Sequence, residues 1–295
     1  GCYHLQLPQT YATFEEASAA AAQYSDGCPA WIDGTYYVRV GSFLDSTSAQ
    51  AAQASLGLTG ATVAGTSGAG ISVVKTGTNT VLFQFDSTSG LYLAVKPGRD
   101  DTVKAETYFR GYSYFGAFEY RRNGGDITVV NVLSMDDYLQ GVIVQEMSPS
   151  WPLEALKAQT VCARSYAYGK LQAGKHQSQG FDLCNTTDCQ AYVGIANASD
   201  NSRRAVEETS GVYLWYNGRV ADQAVYSSHN GGASESAVNV WGRDYPYLIG
   251  KIDPYEASVV DRISNYNWTV TYTAQELTEL LQSKGYGNST IVDFR

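Results

Sequence analysis

Two helical segments set end to end between Ser134 and Ala167 leave this chain few ways to fold. Ser134 stands as the N-cap of the first, Asp136 and Asp137 fill its first turn, and Pro149 closes it. Leu139, Val142 and Ile143 make an i, i+3, i+4 stripe, and the i+7 member of that stripe is Glu146. The second segment takes Ser150 as its cap, with Pro152 and Glu154 in its first turn, and runs to Ala167. Leu153, Leu156, Thr160, Ala163 and Ala167 mark one face of it, while Lys157 and Arg164, two turns apart, share another. The connection is short enough for that cationic face to turn toward Glu146.

Glu146 is a carboxylate where the stripe calls for an apolar side chain. Desolvation and the negative pole of the helix both disfavour its charged form, desolvation being the larger effect. A carboxyl kept protonated near neutral pH is what a general acid for glycosidic cleavage needs. The plainer alternative is a glutamate at a frayed helix end that faces water.

The rest of the chain reads as α+β. Before residue 95 the pattern predicts helices over 14–23 and 46–55 and strands over 36–40, 71–74 and 81–85, a compact β-α-β-β arrangement. Pro97-Gly98-Arg99-Asp100-Asp101 reads as a linker. Strands resume at Arg110–Tyr112 and Phe118–Arg121, and the turn Asn123-Gly124-Gly125 closes a hairpin onto Ile127–Val132. The expected division is a small α+β domain, 1–98, and a larger mixed α/β domain with a substrate groove, 99–295.

A net charge of −9 excludes a nucleic-acid partner, because the longest basic runs are the pairs Arg121-Arg122 and Arg203-Arg204. The 23 tyrosines suit neutral polar ligands such as sugars, although tyrosine more often serves core and sheet surface. No run of about 18 apolar residues is present to span a bilayer. The opening Gly1-Cys2-Tyr3-His4 lacks a signal peptide's basic and then apolar start, so an exported protein would be in mature or trimmed form. Cys162 reads as a buried free thiol, and Cys2–Cys28 and Cys184–Cys189 as two pairs that fit an oxidising compartment. The Asn-x-Ser/Thr sites at Asn185, Asn197, Asn267 and Asn288 carry no weight in so Ser/Thr-rich a chain.

Two resemblances add to this. Tyr36-Tyr37-Val38-Arg39-Val40-Gly41-Ser42-Phe43 and the Ala-rich helix after it resemble a SPOR domain, which implies binding to glycan strands stripped of stem peptides. Val130–Val142, Gln145-Glu146-Met147, Pro152–Gln159 and Ala163–Ala167 closely resemble the SpoIID/LytB family. The match continues through Cys189–Gly194, Tyr226–Gly232, Ser234-Glu235, Val240-Trp241-Gly242 and Asp253-Pro254-Tyr255, covering about residues 105–295. It implies an extracytoplasmic lytic transglycosylase acting on peptide-free peptidoglycan, or a non-catalytic enhancer of a cell-wall amidase. In the first case the catalytic acid falls on Glu146, with Lys157, Arg164, Gln190, Tyr192, Tyr226, Ser228 and Asn230 against the sugar. One carboxylate suffices there because the C6 hydroxyl of the muramic acid attacks internally and leaves a 1,6-anhydro end. No cofactor is required. Some members hold zinc near the segment carrying His176, Cys184 and Cys189, which implies a structural zinc here, against a plain Cys184–Cys189 disulfide. Where such members carry a histidine before the second cysteine, this chain has Asp188. His229 stands where small hydroxyl residues are usual, and a further Gly-rich segment normally follows the point where this sequence stops.

Overall fold

In the computed structural model residues 3–98, 104–123, 125–287 and 289–292 are described. The N-terminal part runs β1 (Tyr3–Tyr11), α1 (Phe14–Ala21), β2 (Gly27–Ile32), β3 (Thr35–Phe43), α2 (Ser46–Ser55), β4 (Thr62–Gly65), β5 (Ile71–Val74) and β6 (Val81–Asp86). One face of β1 and β3 carries Leu5, Leu7, Val38 and Val40, which meet Ala21 of α1 and Ala49 of α2 in a dry core. The small alanines let both helices lie close on the sheet. The order β4-β1-β3-β2, with every neighbouring pair antiparallel, is that of two interleaved split β-α-β units. β6 then adds to β2 in parallel, and β5 to β6.

Both predicted helices and the strands β3, β5 and β6 are present, but β1, β2 and β4 escape the sequence pattern. For β1 and β2 the reason is Pro8 and Pro29, since proline argues against a paired strand. β1 tolerates Pro8 because its register with β3 shifts between Gln6 and Thr10, where no ladder hydrogen bond is required of it.

The other face of this sheet is polar and buried. Arg39 donates from Nε to Gln6 Oε1 (3.1 Å) and from Nη1 to Gln84 Oε1 (2.9 Å). That fixes the Gln84 amide with its NH₂ toward His4 Nε2 at 2.6 Å, so His4 must accept there and donate from Nδ1 to Gly41 O at 2.6 Å. His4 is 0% exposed, and burial, with Arg39 nearby, lowers its pKa from 6.5. The unfolded chain therefore takes up a proton that the fold refuses. Stability from this group is full above about pH 6.5 and falls as pH drops through it. Melting followed by circular dichroism should show a midpoint that declines between about pH 6.5 and 5, above the carboxylate range. The slope in that window should flatten in His4→Gln; an unchanged slope would remove His4 as its source.

Beyond β6, β7 (Leu93–Val95) pairs with β10 (Ala117–Asn123), which pairs with β11 (Asp126–Val132). The expected linker falls partly on Arg99–Asp101, and Gly124 of the expected turn, Cys2, Asn288 and residues 293–295 likewise lie outside the described residues. Arg110 and Gly111, at φ 48° and 94°, form the turn between β8 (Thr107–Phe109) and β9 (Tyr112–Tyr114), so Arg110–Tyr112 is not the continuous strand expected. Arg122 reaches back from β10 to the carbonyls of Ser67 and Gly70.

Three helices follow: α3 (Met135–Glu146), α4 (Leu153–Ala173) and α5 (Asp200–Glu207). Ser134 caps α3, its hydroxyl accepting from Asp137 N at 3.2 Å. α4 differs from expectation at both ends: Pro152, not Ser150, is its cap, and it continues to Ala173 before Gly174 ends it in the left-handed conformation. Leu139, Val142 and Ile143 of α3, Leu156 and Ala163 of α4, Tyr192, and Ala205 and Val206 of α5 form one core. Gly141 makes room for it, since a Cβ there would stand 2.5 Å from Gly194 O and from the Tyr192 ring. The described residues divide into two compact units, Gly1–Asp222 and Gln223–Arg295. Among the described residues no helix is long and apolar enough to cross a membrane.

Candidate active site

The stripe of α3 does what its spacing predicts. Leu139, Val142 and Ile143 are fully buried, and they hold the helix in a rotation that leaves Glu146, its last residue, half-buried at the rim of the core. Tyr138 on the same helix lies near enough to Glu146 to feel its charge. Burial first, and then Cys189, Tyr192, Cys184 and Glu146, push the Tyr138 phenol far above its ordinary value. Its hydroxyl is buried and has no hydrogen-bond partner among the described residues. A buried, neutral O–H of this kind is available to donate. The sequence reading passed over Tyr138, whose signal was its place in the α3 motif between Asp137 and Leu139.

Arg164 is not where the sequence reading puts it. It is 1% exposed, and its guanidinium bonds Asp136 Oδ1 (2.9 Å), Val212 O (3.3 Å), Thr209 Oγ1 (3.4 Å) and Val206 O (3.4 Å). Asp136 opens α3 and Glu146 ends it, ten residues on, which separates them by about 15 Å along the axis. Arg164 is thus a strut between α3, α4 and the end of α5, not a group presented to a sugar beside Glu146. Lys157 is partly exposed and pairs with Glu154 (2.8 Å) and Glu208 (2.6 Å), whose hydrogen bonds raise its pKa.

Tyr192 is also a correction. It is 6% exposed, packs its ring on Tyr138 at 4.9 Å, and donates its hydroxyl to Asn131 Oδ1 at 3.0 Å, so it belongs to the core rather than to a groove wall. Gln190 is buried too; its Nε2 reaches Ala163 O at 3.5 Å, and its Oε1 has no partner among the described residues.

The segment after α4 gathers His176, Cys184, Asp188 and Cys189, with all donor atoms within 4.8 Å of one another. Both cysteines are free thiols, as is Cys162. Burial raises the Cys184 thiol, but hydrogen bonds from Thr186, Cys189 and His176 outweigh it and bring the pKa to about 7. His176 Nδ1 is engaged with Gln179 Oε1 at 2.8 Å, and its buried Nε2 stands 3.6 Å from Asp188 Oδ2. Around a zinc ion, four such donors would stand about 3.3–3.8 Å apart, so the set fits after a small contraction. Asp188 already pairs with Lys175 at 2.6 Å and is the weakest of the four as a ligand.

Tyr226, Ser228 and Asn230 lie in the second unit. Tyr226 and Ser228 are exposed, and Asn230 is half-buried. Asn230 N and Gly231 N donate to Glu256 Oε2 and Oε1, each at 2.7 Å, and Asn230 Nδ2 donates to Asp253 Oδ2 at 3.0 Å. Gly231 and Gly232, at φ 71° and 95°, supply the tight turn expected of them. Glu256, buried beneath that turn, is a residue the sequence reading missed.

Residues 123–216, which include α3, α4 and α5, match the SpoIID family model described as "Stage II sporulation protein". The chain is 42% identical over 139 residues to the amidase enhancer of Bacillus subtilis, an alignment covering 47% of this chain and 17% of that protein. It is 39% identical over 140 residues to an uncharacterized protein of Brachyspira hyodysenteriae, covering 48% and 38%. To the stage II sporulation protein D of Bacillus subtilis it is 26% identical over 175 residues, covering 55% and 50%. The chain therefore spans at most half the length of these relatives. It is the segment built on α3, α4 and α5, residues 123–216, that is similar to the SpoIID family.

Proposed function

We propose that this chain acts outside the cytoplasm on the bacterial cell wall and cleaves peptide-free glycan strands, with Glu146 as general acid and then base. The observation that carries this is Glu146 itself, half-buried at the end of a fully buried stripe on the helix that also carries the buried Tyr138 hydroxyl. Glu146 would protonate the oxygen leaving the muramic acid C1, then take the proton of the attacking C6 hydroxyl, so that atoms and charge balance with no water consumed. Tyr138 would donate a hydrogen bond to whichever oxygen carries developing charge.

A second reading, a wall-binding enhancer of a partner amidase, is favoured by the 42% identity to a protein named amidase enhancer and by the burial of Arg164 and Tyr192 away from any ligand. Incubation with peptide-free glycan separates them. Anhydro-ended fragments released without a partner support the enzyme; none at any pH, with stimulation of an added amidase, supports the enhancer.

The same reading includes a structural zinc held by His176, Cys184 and Cys189, with Asp188 as fourth ligand. It would tie the 176–189 segment together and take no part in the proton transfers. Protein purified without chelator should release about one zinc per chain on denaturation, and chelation should lower the melting temperature, an effect absent in Cys184→Ser. A Cys184–Cys189 bridge found by mass spectrometry of untreated protein would refute it.

A further inference from the structure

The far end of α4 carries a concave site. Trp215-Tyr216 and Arg219-Val220 pair across an Asn217-Gly218 turn whose φ values, 48° and 75°, are those of a two-residue hairpin. The base of this hairpin is fastened to α4: Leu214 N donates to Ser165 Oγ at 2.9 Å, Ala221 N returns to Leu214 O at 2.8 Å, and Arg164 holds Val212 O. The hairpin leans over Tyr168, Gly169 and Gln172, and the space between them, closed below by Asp222, has a volume of about 370 Å³.

Its chemistry is specific. The Trp215 ring is 65% exposed and rigidly mounted, and Tyr168 is held at its side by an edge contact with Tyr213 at 5.7 Å. Gly169 is the only kind of residue that fits there, because a Cβ would meet Asp222 Cβ at 2.4 Å. Asp222 therefore drops against the helix, half-buried, and among the described residues it forms no ion pair or hydrogen bond. Two aromatic faces suit the apolar face of a sugar ring, and an unengaged carboxylate with Gln172 and Arg219 beside it suits the hydroxyls on that ring's edge.

We propose that this pocket is a second glycan subsite, binding one neutral amino-sugar ring by stacking on Trp215 and Tyr168 while Asp222, Gln172 and Arg219 take its polar groups. It stands apart from the catalytic end. Arg164 is level with the start of α3, and the pocket lies one to two turns further along α4, so it is on the order of 20 Å from Glu146. The subsite would anchor a strand at a distance from the bond being cut. It rests on the cell-wall reading for the choice of polymer.

The test is calorimetric titration of the intact chain with the N-acetylglucosamine tetramer and with peptide-free glycan fragments, in wild type, Trp215→Ala, Trp215→Phe, Asp222→Asn and Glu146→Gln. Trp215→Ala should weaken both probes by about tenfold or more, as loss of a stacking ring does. Asp222→Asn should weaken them less, Trp215→Phe should restore much of the affinity, and Glu146→Gln should bind as wild type. Binding that depends on Trp215 without any glycan cleavage would uphold the subsite while ending the catalytic reading. Cleavage with affinity unchanged in both Trp215→Ala and Asp222→Asn would do the reverse. Absence of binding in wild type overturns the subsite, and matching melting curves exclude misfolding as the cause of any loss.

Discussion

Replacing Glu146 with glutamine should lower the release of anhydro-ended fragments from peptide-free glycan by about 10²–10⁴-fold, the usual contribution of a positioned acid–base group. The exchange keeps the size and polarity of the side chain and removes only its capacity to give and take a proton. Leu139, Val142 and Ile143 are fully buried and fix the rotation of α3, so the fold should be kept and glycan affinity preserved. A split of that kind, turnover lost and binding kept, is the signature of a group that acts in the transition state. Tyr138→Phe should cost less, because it removes a donor while leaving the acid in place. An Glu146→Gln protein that cleaves at the wild-type rate would end the catalytic reading.

How much of this could be read from residues depended on whether local or long-range contacts decide the outcome. The α3 stripe, the Ser134 cap and the half-buried end residue Glu146 all follow from helical spacing, and the structure has them as expected. Arg164 shows the limit. Spacing put it on the same face as Lys157, but what it touches is set by α5 and by the carbonyl of Val212, 48 residues away, which no pattern within one helix reveals. Tyr192 is similar: its motif marked it as special, yet its hydroxyl is consumed by Asn131, 61 residues earlier in the chain. β1 and β2 were hidden by single prolines, and His176, Cys184, Cys189 and Asp188, which only the family resemblance had singled out, are gathered by the fold.

Arg164→Ala should destabilise the first unit by about 3–5 kcal/mol, the sum of buried carbonyls left without a donor and the cavity that opens. For a unit of this size that is a fall on the order of 10 °C in melting temperature. The loss has three parts. Asp136 keeps access to water and can be resolvated, so the ion pair itself contributes little. The carbonyls of Val206 and Val212 lose a donor in a place where little water can reach. The guanidinium and its stem also vacate a fully buried volume at the junction of three elements. Arg164→Met refills that volume and should recover part of the loss, whereas Arg164→Lys, with a single ammonium in place of a fork, cannot reach Asp136, Val206 and Val212 together. A double-mutant cycle with Asp136→Asn should show a coupling well below the full effect, because most of Arg164's bonds go to backbone. An Arg164→Ala protein that melts as wild type does would mean that the strut assignment is wrong.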